Sequence, residues 1–119
     1  MGLESPEIKA QFEARARIMK AMAHPTRLFI IEELSRGERC VADITHLVDA
    51  DISTVSKHLA VLRNAGLVAD EKRGTSIYYQ LRVPCVMEFM GCVEAVLEAN
   101  AEDHARIYRM CCKGGGLTR

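Results

Sequence analysis

The sequence predicts a mainly α fold with one small β-hairpin: four helices, two strands and a fifth helix, in the order α-α-α-α-β-β-α. Apolar residues recur at spacings of three and four in four separate stretches, the signature of one-sided helices, and a further stretch, Thr26 to Ser35, is apolar on most sides, as a buried helix is. One short run alternates instead, and it sits beside a Gly-containing turn, the signature of a hairpin strand. Prolines, glycines and capping residues stand at the junctions between these stretches.

The first helix is expected over residues 7–22, where Ile8, Phe12, Ala16, Met19 and Met22 form a stripe after the Ser5-Pro6 start signal. Pro25 separates it from a second helix, Thr26 to Ser35, with Leu28, Phe29, Ile31 and Leu34 apolar and Gly37 as its stop. A third follows Glu38-Arg39, carries Val41, Ile44, Leu47 and Val48, and closes in the polar Asp49-Ala50-Asp51 turn. The fourth runs from an N-cap at Asp51 or Ser53 to Gly66. Val55, Leu59 and Leu62 share its inner face, whereas Ser53, Lys57, Ala60 and Asn64 point the other way at about 100° per residue. That outer face is small and polar, so another molecule can approach it closely. Extended runs Leu67–Lys72 and Ser76–Leu81 are joined by Arg73-Gly74-Thr75 as a hairpin turn. The fifth helix is expected from Pro84, with Val86, Met87, Met90, Val93, Val96 and Leu97 apolar, continuing toward Ile107 and Cys112.

With 119 residues, 49% hydrophobic and 27% charged, the chain has the size of one small domain. We expect residues 1–112 to form it and 113–119 to be a flexible tail. No apolar run reaches the roughly 18 residues that cross a bilayer, and the first residues lack the basic-then-apolar order of a secretory signal. The expectation is a cytoplasmic protein with no membrane partner. In a reducing compartment the five cysteines point to reactive or metal-binding thiols rather than a disulfide scaffold.

Sixteen Lys plus Arg balance sixteen Asp plus Glu, which by itself speaks against a nucleic-acid partner. The balance is uneven along the chain. Residues 1–52 carry 7 basic and 9 acidic side chains, 53–82 carry 5 and 2, and 83–119 carry 4 and 5. The excess in the middle comes from Lys57, Arg63, Lys72, Arg73 and Arg82, and two acidic neighbours, Asp70 and Glu71, weaken its field. Two short helices joined by a polar turn, the second with a small polar face, followed by a basic-tipped hairpin, make a helix-turn-helix with a wing. Its second helix fits a major groove about 12 Å wide. Ser53, Thr54, Ser56, Lys57 and His58 are the expected contacts to bases and phosphates, with Arg63, Lys72 and Arg73 adding phosphate contacts along the helix and wing. The expected partner is double-stranded operator DNA. No nucleophile elbow, phosphate loop or paired metal motif is present, so neither enzymatic chemistry nor a catalytic cofactor is expected.

Ala23-His24-Pro25-Thr26-Arg27-Leu28, Ser53 to Leu59, Leu62 to Val68, Arg73-Gly74 and Tyr78-Tyr79-Gln80-Leu81 stand in an order and spacing that resemble the ArsR/SmtB family of winged-helix repressors, from about Met19 to Leu97. The resemblance implies a homodimer joined through the first and last helices, which binds an operator when unliganded and releases it when an inducer binds. The stripes on residues 8–22 and 86–97 suit such a dimer. Members similar in this way sense ions at different places. One site uses Cys-x-Cys at the start of the third helix, where Cys40-Val41-Ala42 keeps only the first cysteine. Another uses Asp and His on the last helix with His and Glu on its mate, where this chain has Val83, Cys85, Val96 and Ala99.

The remaining thiols are Cys85, Cys92, Cys111 and Cys112, with Cys40 read as structural. Soft thiolates suit As(III) or Sb(III), and also Cd, Pb, Cu(I) or Zn. Seven residues return Cys92 to nearly the face of Cys85 but about 10 Å along the axis, whereas two sulfurs on one metal lie at most about 4.6 Å apart. An intact helix therefore cannot bring both to one ion. Cys85 must precede regular helix, or the two must meet across the dimer, or Cys111 or Cys112 must complete a three-sulfur set. The expected function is a repressor that releases DNA on capturing arsenite or antimonite through last-helix cysteines. Two alternatives use the same residues: a thiol redox or persulfide switch on the same fold, and a thiol-based metal carrier that binds no DNA.

Overall fold

Pro6, whose missing N–H costs nothing in a first helical turn, opens α1 (Pro6–Met22) in a computed structural model that describes residues 2–115, the side chains of 107, 108 and 110–115 excepted. Then follow α2 (Pro25–Ser35), β1 (Arg39–Cys40), α3 (Val41–Val48), α4 (Ile52–Asn64), β2 (Val68–Arg73), β3 (Ser76–Leu81) and α5 (Val86–Gly115). The chain divides into two compact units, Met1–Pro84 and Cys85–Arg119. No helix among the described residues is long and apolar enough to cross a membrane.

In the first unit, Ile30 and Ile31 of α2, Ile44 of α3, Val55, Leu59 and Leu62 of α4, and Leu67, Val68 and Tyr79 of the sheet are buried together with Ala21 and Met22 at the end of α1. Ile31, Ile44, Val55, Leu59, Leu62 and Tyr79 are inner positions that the helical and alternating spacings select, whereas Ile30 and Ala21 are not, and Phe12 and Met19 of the expected α1 stripe are exposed. Removing the buried side chains from water, at about 25 cal/mol per Å² of apolar surface, is the main force holding the elements together.

Turn chemistry fixes the joints. His24 caps α2: its Nδ1 accepts the Thr26 N–H at 3.1 Å, leaving Pro25 at the position that needs no donor. Asp49 takes the left-handed conformation at the end of α3 (φ 58°). The α4 end is a Schellman motif: Gly66 (φ 83°) donates to Arg63 O, Leu67 donates to Leu62 O, and the Leu67 side chain is buried. Leu67, expected to open the first strand, is thereby spent on the helix cap, and the ladder starts at Val68.

Strands β2 and β3 pair antiparallel from Val68↔Leu81 to Arg73↔Ser76, so Arg73 belongs to the ladder and the turn narrows to Gly74-Thr75. Gly74 (φ 62°) takes the first central position, where a II′ turn requires glycine. A third strand, β1, pairs with β3 (Arg39↔Tyr79, Cys40↔Tyr78), giving the order β1-β3-β2. Two residues carry no readable period, so from spacing alone Arg39-Cys40 is no more than a lead-in to the third helix.

The second unit begins at Cys85 and contains α5. Pro84 and Cys85 lie outside the helix, and the Glu88 N–H closes onto Cys85 O at 3.0 Å. The helix expected from Pro84 thus begins two residues later. It covers residues 113–115, expected as tail, and the rest of that tail lies outside the described residues.

Candidate nucleic-acid interface

The α3–turn–α4 pair is held in shape by Asp51. Its Oδ1 accepts the Thr54 N–H at 3.1 Å and its Oδ2 accepts the Ser53 hydroxyl at 3.1 Å. These hydrogen bonds, Thr54 first, keep the carboxyl below the usual carboxylate range, so it stays ionised at the positive end of the helix. With Val55, Leu59 and Leu62 turned into the core, Ser53, Thr54, Ser56, Lys57 and Asn64 are left exposed. The surface from Ser53 to Asn64 carries no acidic and no bulky side chain on its outward face, and Lys57 makes no ion pair among the described residues.

The two flanks of α4 differ. On the wing flank, Ser56 and Ile52 line a cleft of about 240 Å³ with Cys40, Thr75, Ser76 and Ile77. Arg63 Nη1 reaches Asp70 Oδ2 of β2 at 3.1 Å. Arg73 is fully engaged: Nη2 contacts Glu71 Oε1 at 2.6 Å and Glu38 Oε2 at 2.8 Å, Nε adds 2.9 Å to Glu71, and the guanidinium lies 4.6 Å over the Tyr78 ring. The two carboxylates, Glu38 foremost, hold its proton even more firmly than in an ordinary arginine. Lys72 is exposed and unpaired among the described residues.

On the opposite flank, His58 is half-buried against α2. Its ring centroid lies 4.5 Å from that of His24, and its Nδ1 lies 3.3 Å from Arg27 Nη1. Burial first, then His24 and Arg27, pushes its pKa below the ordinary histidine value. Arginine can only donate, so Nδ1 accepts and the ring proton sits on Nε2. His58 thus braces α4 against α2 rather than joining Lys57 on the outward face.

Sequence reasoning missed Arg17, Lys20 and Arg27, which line an open cleft of about 450 Å³ with Val61, Asn64 and Ala65 of α4. It counted Glu71 among the acidic neighbours of the basic stretch but missed Glu38, which reaches Arg73 from 35 residues away.

Cys40 is half-buried at the N-cap of α3, and Cys85 and Cys92 are exposed free thiols. The side chains of Cys111 and Cys112 lie outside the described residues. Among the described residues, no three His, Cys, Asp or Glu side chains converge as a metal site.

Comparison with known proteins agrees with this geometry. Residues 24–70, from the α2 cap to the second strand, match the family described as bacterial regulatory protein, arsR family. The chain is 35% identical over 88 residues to the arsenic resistance transcriptional regulator ArsR1 of Pseudomonas putida, covering 71% of this chain and 67% of that one. It superposes on NolR from Sinorhizobium fredii with a TM-score of 0.72 at 32% identity, covering 81% of this chain and 96% of that one. The homodimeric winged helix-turn-helix DNA-binding domain of a possible ArsR-family regulator from Mycobacterium bovis gives the same TM-score and identity, covering 87% and 96%. With α3 and α4 as its helix-turn-helix and β2–β3 as its wing, this chain belongs to the ArsR family of DNA-binding transcriptional regulators.

Proposed function

We propose that the protein is a homodimeric repressor that holds operator DNA through α4 and releases it when a thiophilic ion, arsenite or antimonite in the first place, is captured by cysteines at the start of α5. The observation that carries the sensing half is the exposure of Cys85 and Cys92 as free thiols. A small buried hydrophobe is the ordinary use of a cysteine, and exposure removes that explanation within one chain. The position of Cys85 before the first turn of α5 supports a site in which it is not bound to helical spacing. Because the described side chains of one chain bring no three ligands together, the third sulfur comes from the partner chain or from Cys111 or Cys112. The arsenic-resistance regulator of Pseudomonas putida supports the choice of ion.

Dimerisation is supported by the apolar side chains each unit leaves uncovered. Phe12 and Met19 on α1, and Val96 and Leu97 on α5, are each more than half exposed, and such stripes mark an interface. Ser53, Thr54, Ser56 and Lys57 read the groove, and Lys72 reaches phosphate from the wing. Arg63 and Arg73 contribute only as far as a phosphate displaces the carboxylates they hold. Ion capture acts by favouring a dimer geometry that no longer matches successive grooves, and a coupling of about 1–3 kcal/mol changes operator affinity about 5- to 150-fold.

The test is a titration of the reduced protein on its operator with arsenite, cadmium, zinc and a persulfide donor, beside Cys85→Ser and Cys92→Ser. Release by arsenite that either substitution abolishes is the expected result. Release by the persulfide donor alone identifies the thiol-switch alternative, and release by none of the four ends the sensor reading.

A further inference from the structure

We propose that the phosphate backbone of the operator is anchored mainly by Arg17 and Lys20 of α1, beside Arg27 of α2, on the flank of α4 away from the wing. This rests on the reading of the protein as a DNA binder and deepens it by assigning a contact surface outside the helix-turn-helix and wing.

A helix with its side chains is about 10–12 Å across, and the major groove is about 12 Å wide. A helix seated there with Ser53, Lys57, Ala60 and Asn64 toward the base edges therefore has one phosphate backbone against each flank. The wing flank presents Arg63, Lys72 and Arg73 but also Asp70, Glu71 and Glu38, and two of its three cations are already paired. The other flank presents Arg17, Lys20 and Arg27, with no carboxylate among the residues lining that cleft. Among the described residues, none of these three forms an ion pair, although Glu13 lies one helical turn before Arg17. Arg27 is fixed in place by its Nε donating to Ala21 O at 2.6 Å and by Nη1 beside His58. That leaves Arg17 and Lys20, both exposed, as the cations able to turn toward a phosphate.

The floor of the cleft suits the same ligand. Val61 and Ala65 add apolar surface to a cleft otherwise lined by the cations and the polar Asn64, which matches a backbone of apolar sugars alternating with charged phosphates. Its open form fits a strand passing along it rather than an enclosed small molecule.

The experiment measures operator affinity against salt by fluorescence anisotropy, on a duplex selected from a random library with the parent protein and on an unrelated duplex. In a homodimer each substitution removes two phosphate contacts. Lys20→Ala and Arg17→Ala are each expected to make the slope of log affinity against log salt shallower by about 1.8, with about a 30-fold loss at 0.15 M salt, on both duplexes. Lys20→Arg should keep the slope. Lys9→Ala, the same charge loss three helical turns earlier on α1, should also leave it unchanged. Circular dichroism confirms that each variant is folded. A parent that binds its duplex while Arg17→Ala and Lys20→Ala keep its slope and affinity overturns this inference and leaves the repressor reading standing. A parent for which no duplex can be selected overturns both.

Discussion

Replacing Glu71 by Gln should make the protein bind DNA more tightly and with a steeper salt dependence. Glu71 Oε1 accepts from both Nε and Nη2 of Arg73, and Glu38 holds the same guanidinium from the other side. While both carboxylates are in place, a DNA phosphate gains little from Arg73, because the charge it would neutralise is already neutralised. A glutamine amide carries no charge, Glu38 alone must then share the guanidinium with solvent, and the arginine can exchange onto a phosphate. Two copies per dimer add up to two phosphate contacts, so the slope of log affinity against log salt should steepen by up to about 1.8 and affinity at 0.15 M salt should rise by up to about 30-fold. The assay is the same anisotropy titration, run from about 50 to 300 mM salt, the range over which counterion release is resolved, on parent, Glu71→Gln and Glu71→Gln combined with Arg73→Ala. The double variant should fall back to the parent slope. A Glu71→Gln protein that binds no tighter than the parent, or a gain that survives removal of Arg73, would refute the view that the wing arginine is held in check by its carboxylates.

Leu59 has no exposed surface, so Leu59→Ala should destabilise the protein by about 2–5 kcal/mol in urea unfolding. Asp51→Ala should lower the thermal midpoint and weaken operator binding together, since the same carboxylate caps α4 and orients Ser53. The depressed pKa of His58 means that the unfolded chain takes up its proton first as pH falls. Stability should therefore be full above about pH 6.5 and decline below it, until the folded ring also protonates. His58→Gln should flatten that decline, and an unchanged pH profile of the urea midpoint would remove His58 as its cause.

Elements longer than a turn were legible in the sequence because apolar side chains repeat along them, whether the fold then buries them, as in α4, or leaves them uncovered, as in α1 and α5. Val55, Leu59 and Leu62 mark α4 so clearly that its inner and outer faces follow from spacing alone. Features decided by contact between distant segments were not legible. β1 is two residues whose only reason to be extended is the backbone of Tyr78 and Tyr79 across from them. The His58 ring stands midway along α4, yet the approach of His24 and Arg27 from α2 determines which way it serves. Where charge gathers in space was illegible for the same reason. Arg17 and Lys20 fall in the stretch of 7 basic and 9 acidic residues, which counts as acidic along the chain, while the fold brings α1 beside α4. Conversely Arg63 and Arg73, the core of the basic stretch, meet Asp70, Glu71 and Glu38 in space.

How a chain with sixteen charges of each sign can hold a polyanion follows from where its carboxylates are used. Screening confines each exposed charge to roughly 8 Å at physiological salt, so DNA at α4 responds to the charges beside it rather than to the total. Within the first unit, Glu32 and Glu33 are paired with Arg36, Glu33 also with Arg39, Glu38 and Glu71 with Arg73, and Asp70 with Arg63, while Asp51 is bound to the first turn of α4. Each of these carboxylates is matched by a donor at contact distance, and among the described residues the cations left without an ion pair beside α4 include Lys57 on its outward face, Lys72 on the wing, and Arg17, Lys20 and Arg27 on the other flank. Under the proposed anchoring, the acidic residues set which cations face DNA rather than repelling it. On the same proposal, the wing stays nearly neutral toward non-specific duplex, and the attractive charge lies where a phosphate backbone arrives only when α4 is fully seated in a groove.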